Sequence, residues 1–423
     1  MVLTSAMRKI GRRNFLKAAG GVSALAALGT TAIVRGPARG GPIRAALIGY
    51  GKQGRILCSS VDPDLMNIVA ICDIKAPTKA ETTQLEDVKW HREWRHLIHD
   101  ERIEAILIAT PLGTHAEIAI GCLEAGKHVF CETAMALDLD GCTRMIQASK
   151  RGRRLLHIGY QNYYEPLYWA AYRNIVKQGV LGDIYSVEAA CHSSDSGYVS
   201  KELDAVSFDP QPWGYSSLEQ LANWRLYRRY SNGLTSEFGG ALISLMNWYL
   251  DSVPVAVQAT GGTYSYKDGR DVDDHVYATL EYPNGRTATL SLIQSNGFEQ
   301  SYTQFMGKNG TLIIGNDEAL LFTEEGSVRA TIKSAKVNAS HPVIDTSASR
   351  SEEASSHSAL AQGTNTAPAD STETFRREIA GFCGGIRSGA SPRCSPEHAR
   401  DVTKTCLAIN EAVGVATNRT PHA

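Results

Sequence analysis

Gly49, Tyr50, Gly51, Lys52, Gln53 and Gly54 follow the apolar run Ile43 to Ile48 and spell G-x-G-x-x-G. Glycine at 49 permits a sharp turn, glycine at 51 lets backbone N–H groups approach a pyrophosphate, and glycine at 54 lets the helix opening there pack close to the strand. The positive end of that helix favours the same anion. A second apolar run, Asn67 to Cys72, ends in Asp73, 19 positions after Gly54. That is close to the offset of about 20 residues at which an acid meets the adenosine ribose hydroxyls. The order strand, glycines, helix, acid predicts a dinucleotide cofactor, NAD or NADP. Asp73 favours NAD, because a 2′-phosphate there would face a like charge. Lys75 keeps NADP open, since it reads equally as a 2′-phosphate partner or a solvated turn residue.

Such a loop has to be held by a parallel sheet. From 43 to about 160 apolar runs alternate with helical stretches, the pattern of an α/β Rossmann-type domain with helices on both faces. Strands are expected at 43–49, 67–72, 103–109, 127–131 and 154–159. A helix is expected over 114–125, where Ile118 and Leu123 recur at helical spacing. After Gly159 a helix over 166–178 leads into β-rich segments at 183–191, 255–264, 275–282, 286–295, 302–307 and 311–314. Pro283-Asn284-Gly285 forms a hairpin turn between two of them. Strand after strand without long helices predicts an α+β domain built on a large, mostly antiparallel open sheet. The expected division is a leader and linker over 1–42, a dinucleotide-binding domain over 43–161 and a substrate and oligomerisation domain over 162–423. The polar tract 323–372 reads as a poorly ordered surface excursion, and helices over 373–387 and 396–417 close the chain.

The leader is a separate signal. Arg12-Arg13-Asn-Phe-Leu-Lys17 precedes an apolar, small-residue stretch from Ala18 to Ile33, the pattern of twin-arginine export. The expected partner is the twin-arginine export machinery and the destination is the periplasm or another extracytoplasmic space. The leader is either cut between 35 and 41 or kept as a membrane tether. That route carries folded proteins, so a cofactor acquired in the cytoplasm can travel inside the fold. Residues 1–42 hold seven Lys/Arg and no acid, leaving 36 basic against 44 acidic residues in the remainder. An acidic body argues against nucleic acid as a partner. The nine cysteines contain no C-x-x-C pair, so neither a zinc site nor a disulfide framework is expected.

Over essentially the whole mature chain the sequence resembles the Gfo/Idh/MocA family of sugar- and cyclitol-directed oxidoreductases. The resemblance rests on Gly49 to Gly54, Ala109-Thr-Pro-Leu-Gly-Thr-His115, Gly126-Lys-His-Val-Phe-Cys-Glu132, Gly159-Tyr-Gln161, Asn223-Trp-Arg225 and Gly285. It implies that Thr110, Pro111 and His115 lie beside the cofactor, that Glu132 holds the nicotinamide ribose, and that Thr133 and Gln161 border the same site. His115 also reads simply as a helix-start residue with a local hydrogen bond.

Two departures bear on chemistry. The family's Glu-Lys-Pro motif, with its catalytic lysine, is replaced by Glu132-Thr133-Ala134. Without proline a cis bond would cost about 2.5–4 kcal/mol, so a trans bond and a rerouted loop are expected. The family's Asp-x-Gly-x-His is replaced by Glu237-Phe-Gly-Gly-Ala241, and Ser244 stands where relatives often carry aspartate. Positions 237 and 241 would share a helical face. Oxidising an alcohol by hydride transfer needs a group that takes the hydroxyl proton at neutral pH, and neither Thr133 nor Ala241 can. The candidate catalytic replacements are Glu237, which serves alone if desolvation raises its pKa and otherwise caps or pairs with Arg225, His192 at a strand end, and Tyr163. Each also has an ordinary structural reading. The cluster Trp224 to Tyr230 reads as a sugar-stacking wall or as a surface with salt-linked arginines.

The expected substrate is a carbohydrate, cyclitol or related polyol, handled by hydride transfer with a non-standard proton relay. The alternatives are an NAD-dependent glycosidase or lyase with a retained cofactor, and a non-catalytic dinucleotide- and sugar-binding protein. A homo-oligomer formed through the second sheet is expected.

Overall fold

A computed structural model describes residues 41–75, 77–198, 209–298, 301–315, 318–323, 330–333, 343–345 and 371–417. The leader lies outside them, as does most of the polar tract. In the first domain strands β1 (Ile43–Ile48), β2 (Met66–Cys72), β3 (Lys89–His91), β4 (Ala105–Ile108), β5 (His128–Glu132) and β6 (Leu156–Gly159) alternate with helices. These are α1 (Lys52–Ser60), α2 (Lys79–Gln84), α3 (Arg95–Ile98), α4 (His115–Glu124) and α5 (Leu139–Gly152). The six strands pair in parallel in the order β3-β2-β1-β4-β5-β6. The order reverses at β1, and ligands bind at such switch points, beyond the carboxyl ends of the strands.

Strand alternation explains why both faces need cover. Ile43, Ala45 and Leu47 enter one buried cluster and Ala46 and Ile48 the other. The second face is covered by α4 and α5 through Ile118, Ala119, Cys122, Cys142 and Met145. The first is covered by α1 and, from far along the chain, by α10 (Ser371–Ser388), whose Phe375, Ile379, Phe382 and Cys383 pack among Leu47, Leu107 and Phe130.

After β6 the chain runs through α6 (Pro166–Ala171) and a π-helical turn, Tyr172–Val176, into β7 (Ile184–His192). Then come α7 (Leu218–Ala222), α8 (Leu234–Glu237), α9 (Gly239–Leu250) and the strands β8 (Ala256–Gly262), β9 (His275–Tyr282), β10 (Arg286–Ile293), β11 (Ser301–Gly307) and β12 (Gly310–Ile314). Asn284 and Gly285, at φ 67° and 73°, make the turn between β9 and β10, where asparagine and glycine tolerate positive φ. The sheet has nine strands, because β13 (Glu318–Thr323), β14 (Ala330–Lys333) and β15 (Val343–Asp345) extend it. These last strands correct the expected polar excursion. Thr331-Ile332 and Val343-Ile344 carry β-branched residues that pair in register beyond β13, and their shortness hides them in a Ser/Thr-rich context. All pairs are antiparallel except β7 with β10.

One face of this sheet buries Val276, Ala278, Leu280, Leu290 and Leu292 against α9. The residues opposite, Tyr277, Thr279, Thr289 and Ser291, point away from it. Among the described residues Tyr277 is the large apolar side chain exposed on that outer face. The last helix, α11 (Pro396–Thr417), lies at the domain junction, where Thr235 Oγ1 donates to Asn410 Oδ1 over 2.9 Å. All nine cysteines are free, and no helix among the described residues is long and apolar enough to cross a membrane.

Candidate dinucleotide and substrate site

The glycines divide their work as their spacing suggests. Gly49 turns at φ 91°, and a Cβ there would lie 2.6 Å from Ala109 O on the neighbouring strand end. A Cβ on Gly54 would lie 1.9 Å from Gly49 O, so only glycine lets α1 pack this close to β1. A Cβ on Gly51 would meet no atom within 4 Å. The fold does not need glycine at 51, but a phosphate approaching the start of α1 does, and Gly51 is the N-cap with no side chain bonded over the helix end. These residues fit a dinucleotide pyrophosphate.

Around the cradle the remaining residues converge. Tyr50 N–H donates to Asp73 Oδ2 (2.7 Å), and Lys75 N–H donates to Asp73 Oδ1 (2.8 Å), so the acid ties the glycine loop to the end of β2. Gln53 Nε2 donates to Glu132 Oε1 across 2.7 Å, joining the first turn of α1 to the end of β5. Lys52 is exposed at the helix start, and Gln161 is exposed where a 3-10 turn follows β6. Pro111 leads into another 3-10 turn, in which Thr114 Oγ1 donates to Thr110 Oγ1 (2.8 Å).

His115 is buried, with Nδ1 2.9 Å from Ala134 O and Nε2 2.9 Å from Thr110 O. Burial lowers its pKa against the pull of the two carbonyls, so a neutral ring donates to one of them and the ring struts the 110–115 loop against the 133–136 loop. The Thr133-Ala134 bond is cis, not trans, with Ala134 O facing the His115 ring and Met135 and Ala136 buried in the core.

The three candidate bases are not brought together. Tyr163 stacks on Trp248 with ring centroids 4.4 Å apart, and its hydroxyl is hydrogen-bonded with His398 Nε2 at 2.8 Å. It borders a separate cavity of about 480 Å³ with Trp248, Arg393 and His398. Burial pushes its phenol well above the ordinary value, the wrong direction for a base. Ser244 Oγ lies 3.2 Å from the same His398 nitrogen. His192 has both ring nitrogens engaged, Nδ1 with Phe298 O (2.9 Å) and Nε2 with Ser291 Oγ (2.8 Å).

Glu237 is linked toward His115 and Glu132 through Arg225. It accepts from Arg225 Nε over 2.7 Å, and the Arg225 charge reaches both His115 and Glu132. A break at Phe238 puts Glu237 at the end of α8 and Ala241 in α9, so the expected shared helix is two helices. Glu132 is buried, and desolvation, with the nearby Glu378 carboxyl, pushes its pKa up to about 8.

Two features escaped the sequence. Tyr160, at the end of β6, has a buried hydroxyl beside exposed Thr133, and 3.9 Å from a Cβ built on Gly240. Its side of the strand was not readable, because β6 is buried throughout. The other feature is the 209–232 segment, which reaches over the first domain. Tyr215, Leu221 and Tyr230 pack with Trp213, Trp224, Tyr227 and Ile74, the residue after Asp73. Gly113 N–H donates to Tyr230 O (3.2 Å), and Asn232 Nδ2 donates to Leu137 O (3.2 Å). Of the two readings of this cluster, the aromatics form a small core and Arg228 pairs with Asp273 at 2.8 Å.

Cradle, switch point and second sheet define a two-domain dinucleotide-binding protein of the oxidoreductase class. Residues 43–160 match the description "Oxidoreductase family, NAD-binding Rossmann fold", and 169–313 match the "GFO/IDH/MocA C-terminal domain". The chain belongs to the Gfo/Idh/MocA family. Residues 9–29 match a twin-arginine translocation signal.

Among relatives, the chain is 25% identical over 226 residues to 2,7-anhydro-N-acetylneuraminate hydratase of Escherichia coli, covering 52% of this chain and 54% of that protein. It is 31% identical over 148 residues to inositol 2-dehydrogenase of Salmonella typhimurium, 33% of this chain and 43% of that one. The matched stretch thus spans about half the length of these curated relatives or less. Levoglucosan dehydrogenase solved with NADH and levoglucosan has the same fold, with a TM-score of 0.67 at 21% identity over 88% of this chain and 98% of that one. So does myo-inositol 2-dehydrogenase of Lactobacillus plantarum, with a TM-score of 0.65 at 21% identity over 89% and 98%.

Proposed function

We propose that this is an exported oxidoreductase that binds NAD, or NADP, and acts on a sugar, cyclitol or related polyol by hydride transfer. Its destination is the periplasm or another extracytoplasmic compartment. The observation that carries the reading is the open cradle at Gly51, tied by the Gln53–Glu132 bond to an acid that the Arg225 charge of the Arg225–Glu237 pair also reaches. The bound dinucleotide would supply the hydride acceptor. Gly49 to Gly54 would hold its pyrophosphate, Asp73 the adenosine ribose and Glu132 the nicotinamide ribose.

Glu237 is the group to take the substrate's hydroxyl proton, with Arg225 fixing the carboxylate. Tyr163 and His192 are less suited, the first because its phenol is raised and the second because both nitrogens are engaged. Thr133 replaces an ammonium with a hydroxyl, which can donate to a substrate oxygen but cannot serve as the base.

A second reading is favoured by the 209–232 segment. Its packing on Ile74 supports an enclosed, retained cofactor, and hence a glycosidase or lyase that oxidises and re-reduces one sugar without exchanging its dinucleotide. Following nicotinamide absorbance with free sugars, cyclitols and glycosides separates the two. Net accumulation of reduced dinucleotide supports the dehydrogenase, and product without net reduction supports the retained cofactor. Binding of sugar with no change in either would point to a non-catalytic protein.

A further inference from the structure

The interior of the first domain holds a second carboxyl behind Glu132. Pairing of β5 with β6 sets Phe130 opposite His157 and Glu132 opposite Gly159, so all four positions share one face of the sheet. Gly159 makes room for the acid, because a Cβ there would lie 3.0 Å from Glu132 Oε2. Helix α10 covers this face. Its Phe382 meets Phe130 and His157 edge-on at 5.9 and 5.8 Å, and Glu378, one turn earlier, points to the same side. Glu378 is 0% exposed, with Oε1 3.2 Å from His157 Nε2. Glu378 Oε2 and His157 Nδ1 have no hydrogen-bond partner among the described residues.

We propose that Glu378 and Glu132 form a buried carboxyl pair that shares a proton, with Glu378 keeping it when the hydroxyls of a bound dinucleotide engage Glu132. This rests on the reading that Glu132 receives the nicotinamide ribose. Two carboxylates in one dry site cannot both ionise cheaply, and the pair titrates as a unit.

The groups facing Glu378 offer no compensating cation. They are Glu132 from β5, His157 from β6, Tyr164 from the following turn and Cys394 from the loop before α11. His157 is held neutral, its pKa pushed by burial down to about 3. The neighbouring Arg377 pairs with Glu165 and Glu373 instead. Among the described residues, Arg225 acts on Glu132 and Arg393 lies over the Tyr164 ring. Ribose hydroxyls donate to a carboxylate, so their arrival draws the negative charge to Glu132. The only bond broken is an O–H of Glu132. Its proton passes to Glu378 when Glu378 carries the charge, and to solvent when both acids are protonated.

The test uses the full mature protein with NADH as the probe, titrated by fluorescence between about pH 5 and 9 in wild type, Glu378→Gln and Glu132→Gln. Wild-type affinity should rise with pH, and Glu378→Gln should move that rise to lower pH by about one unit or more, because the competing seat for the charge is gone. Glu132→Gln should bind weakly and without this pH dependence. Infrared spectra of the NADH-bound wild type at neutral pH should show a protonated-carboxyl band that Glu378→Gln lacks. Coincident pH curves for wild type and Glu378→Gln, or no such band, would overturn the pair. Glu132→Gln binding NADH like wild type, or no NADH binding by any form, would instead overturn the assignment of Glu132 to the ribose. The infrared band of wild type alone still decides whether a buried carboxyl keeps its proton, should Glu378→Gln fail to fold.

Discussion

Gln53 Nε2 donates to Glu132 Oε1 over 2.7 Å, so the third variable residue of the glycine loop fixes the carboxylate at the end of a strand two places away in the sheet. The glycine loop and the end of β5 are thereby tied together. Gln53→Leu should weaken NADH binding by about tenfold, the worth of roughly one charge-assisted hydrogen bond, with little change in melting temperature.

Two glycines three positions apart should behave in opposite ways. Gly51→Val should abolish dinucleotide binding and leave the apo protein folded, because its side chain enters the space of the cradle and meets no protein atom at Cβ. Gly54→Ala should destabilise the fold itself, by about 3 kcal/mol or more, because its Cβ would collide with Gly49 O. Calorimetric binding and thermal melts on both variants check the contrast.

Much of this was legible in the sequence because its signals are local. The glycine loop, Asp73 and the Asn284-Gly285 turn announce their backbone chemistry in a few residues. Except for the three-residue β3, which was not expected, the strands through β12 show apolar runs or alternation that survive without tertiary context. What was not legible depends on distant packing. Tyr163 and His192 are sound bases by residue type, but only the fold shows the first stacked on Trp248 and the second engaged at both ring nitrogens. The cis bond before Ala134 lacks the proline that would have signalled it. Glu378 reads as one acid on an amphipathic helix until that helix returns, 221 residues after His157, to cover the first sheet.

The buried acid also predicts how stability varies with pH. Burial raises the Glu378 pKa well above the ordinary carboxylate value, so above about pH 4.3 the unfolded chain loses a proton that the native protein keeps. Stability from this group is therefore full below the unfolded pKa and is lost as pH rises toward the native one. Glu378→Gln removes that titration. Its stability relative to wild type should increase by about 1.4 kcal/mol per pH unit across that window, measured by urea unfolding of the apo forms at pH 5, 6 and 7.

We expect self-association through the outer face of the second sheet, where Tyr277 is 46% exposed amid threonines and serine. We expect light scattering at micromolar concentration to show an oligomer that Tyr277→Asp dissociates. A monomeric wild type would remove this surface from consideration.

We propose that Gly51, Glu132 and Glu237 serve one hydride-transfer site, with Glu237 as proton acceptor. The most direct test is nicotinamide absorbance in single turnovers of the purified holoprotein with the sugar, cyclitol and glycoside panel, comparing wild type with Glu237→Gln. Wild type should reduce bound cofactor, and Glu237→Gln should do so about 10²–10⁴-fold more slowly with unchanged dinucleotide content. Equal rates for the two proteins, or no reduction of bound cofactor by wild type while sugar still binds, would contradict the account.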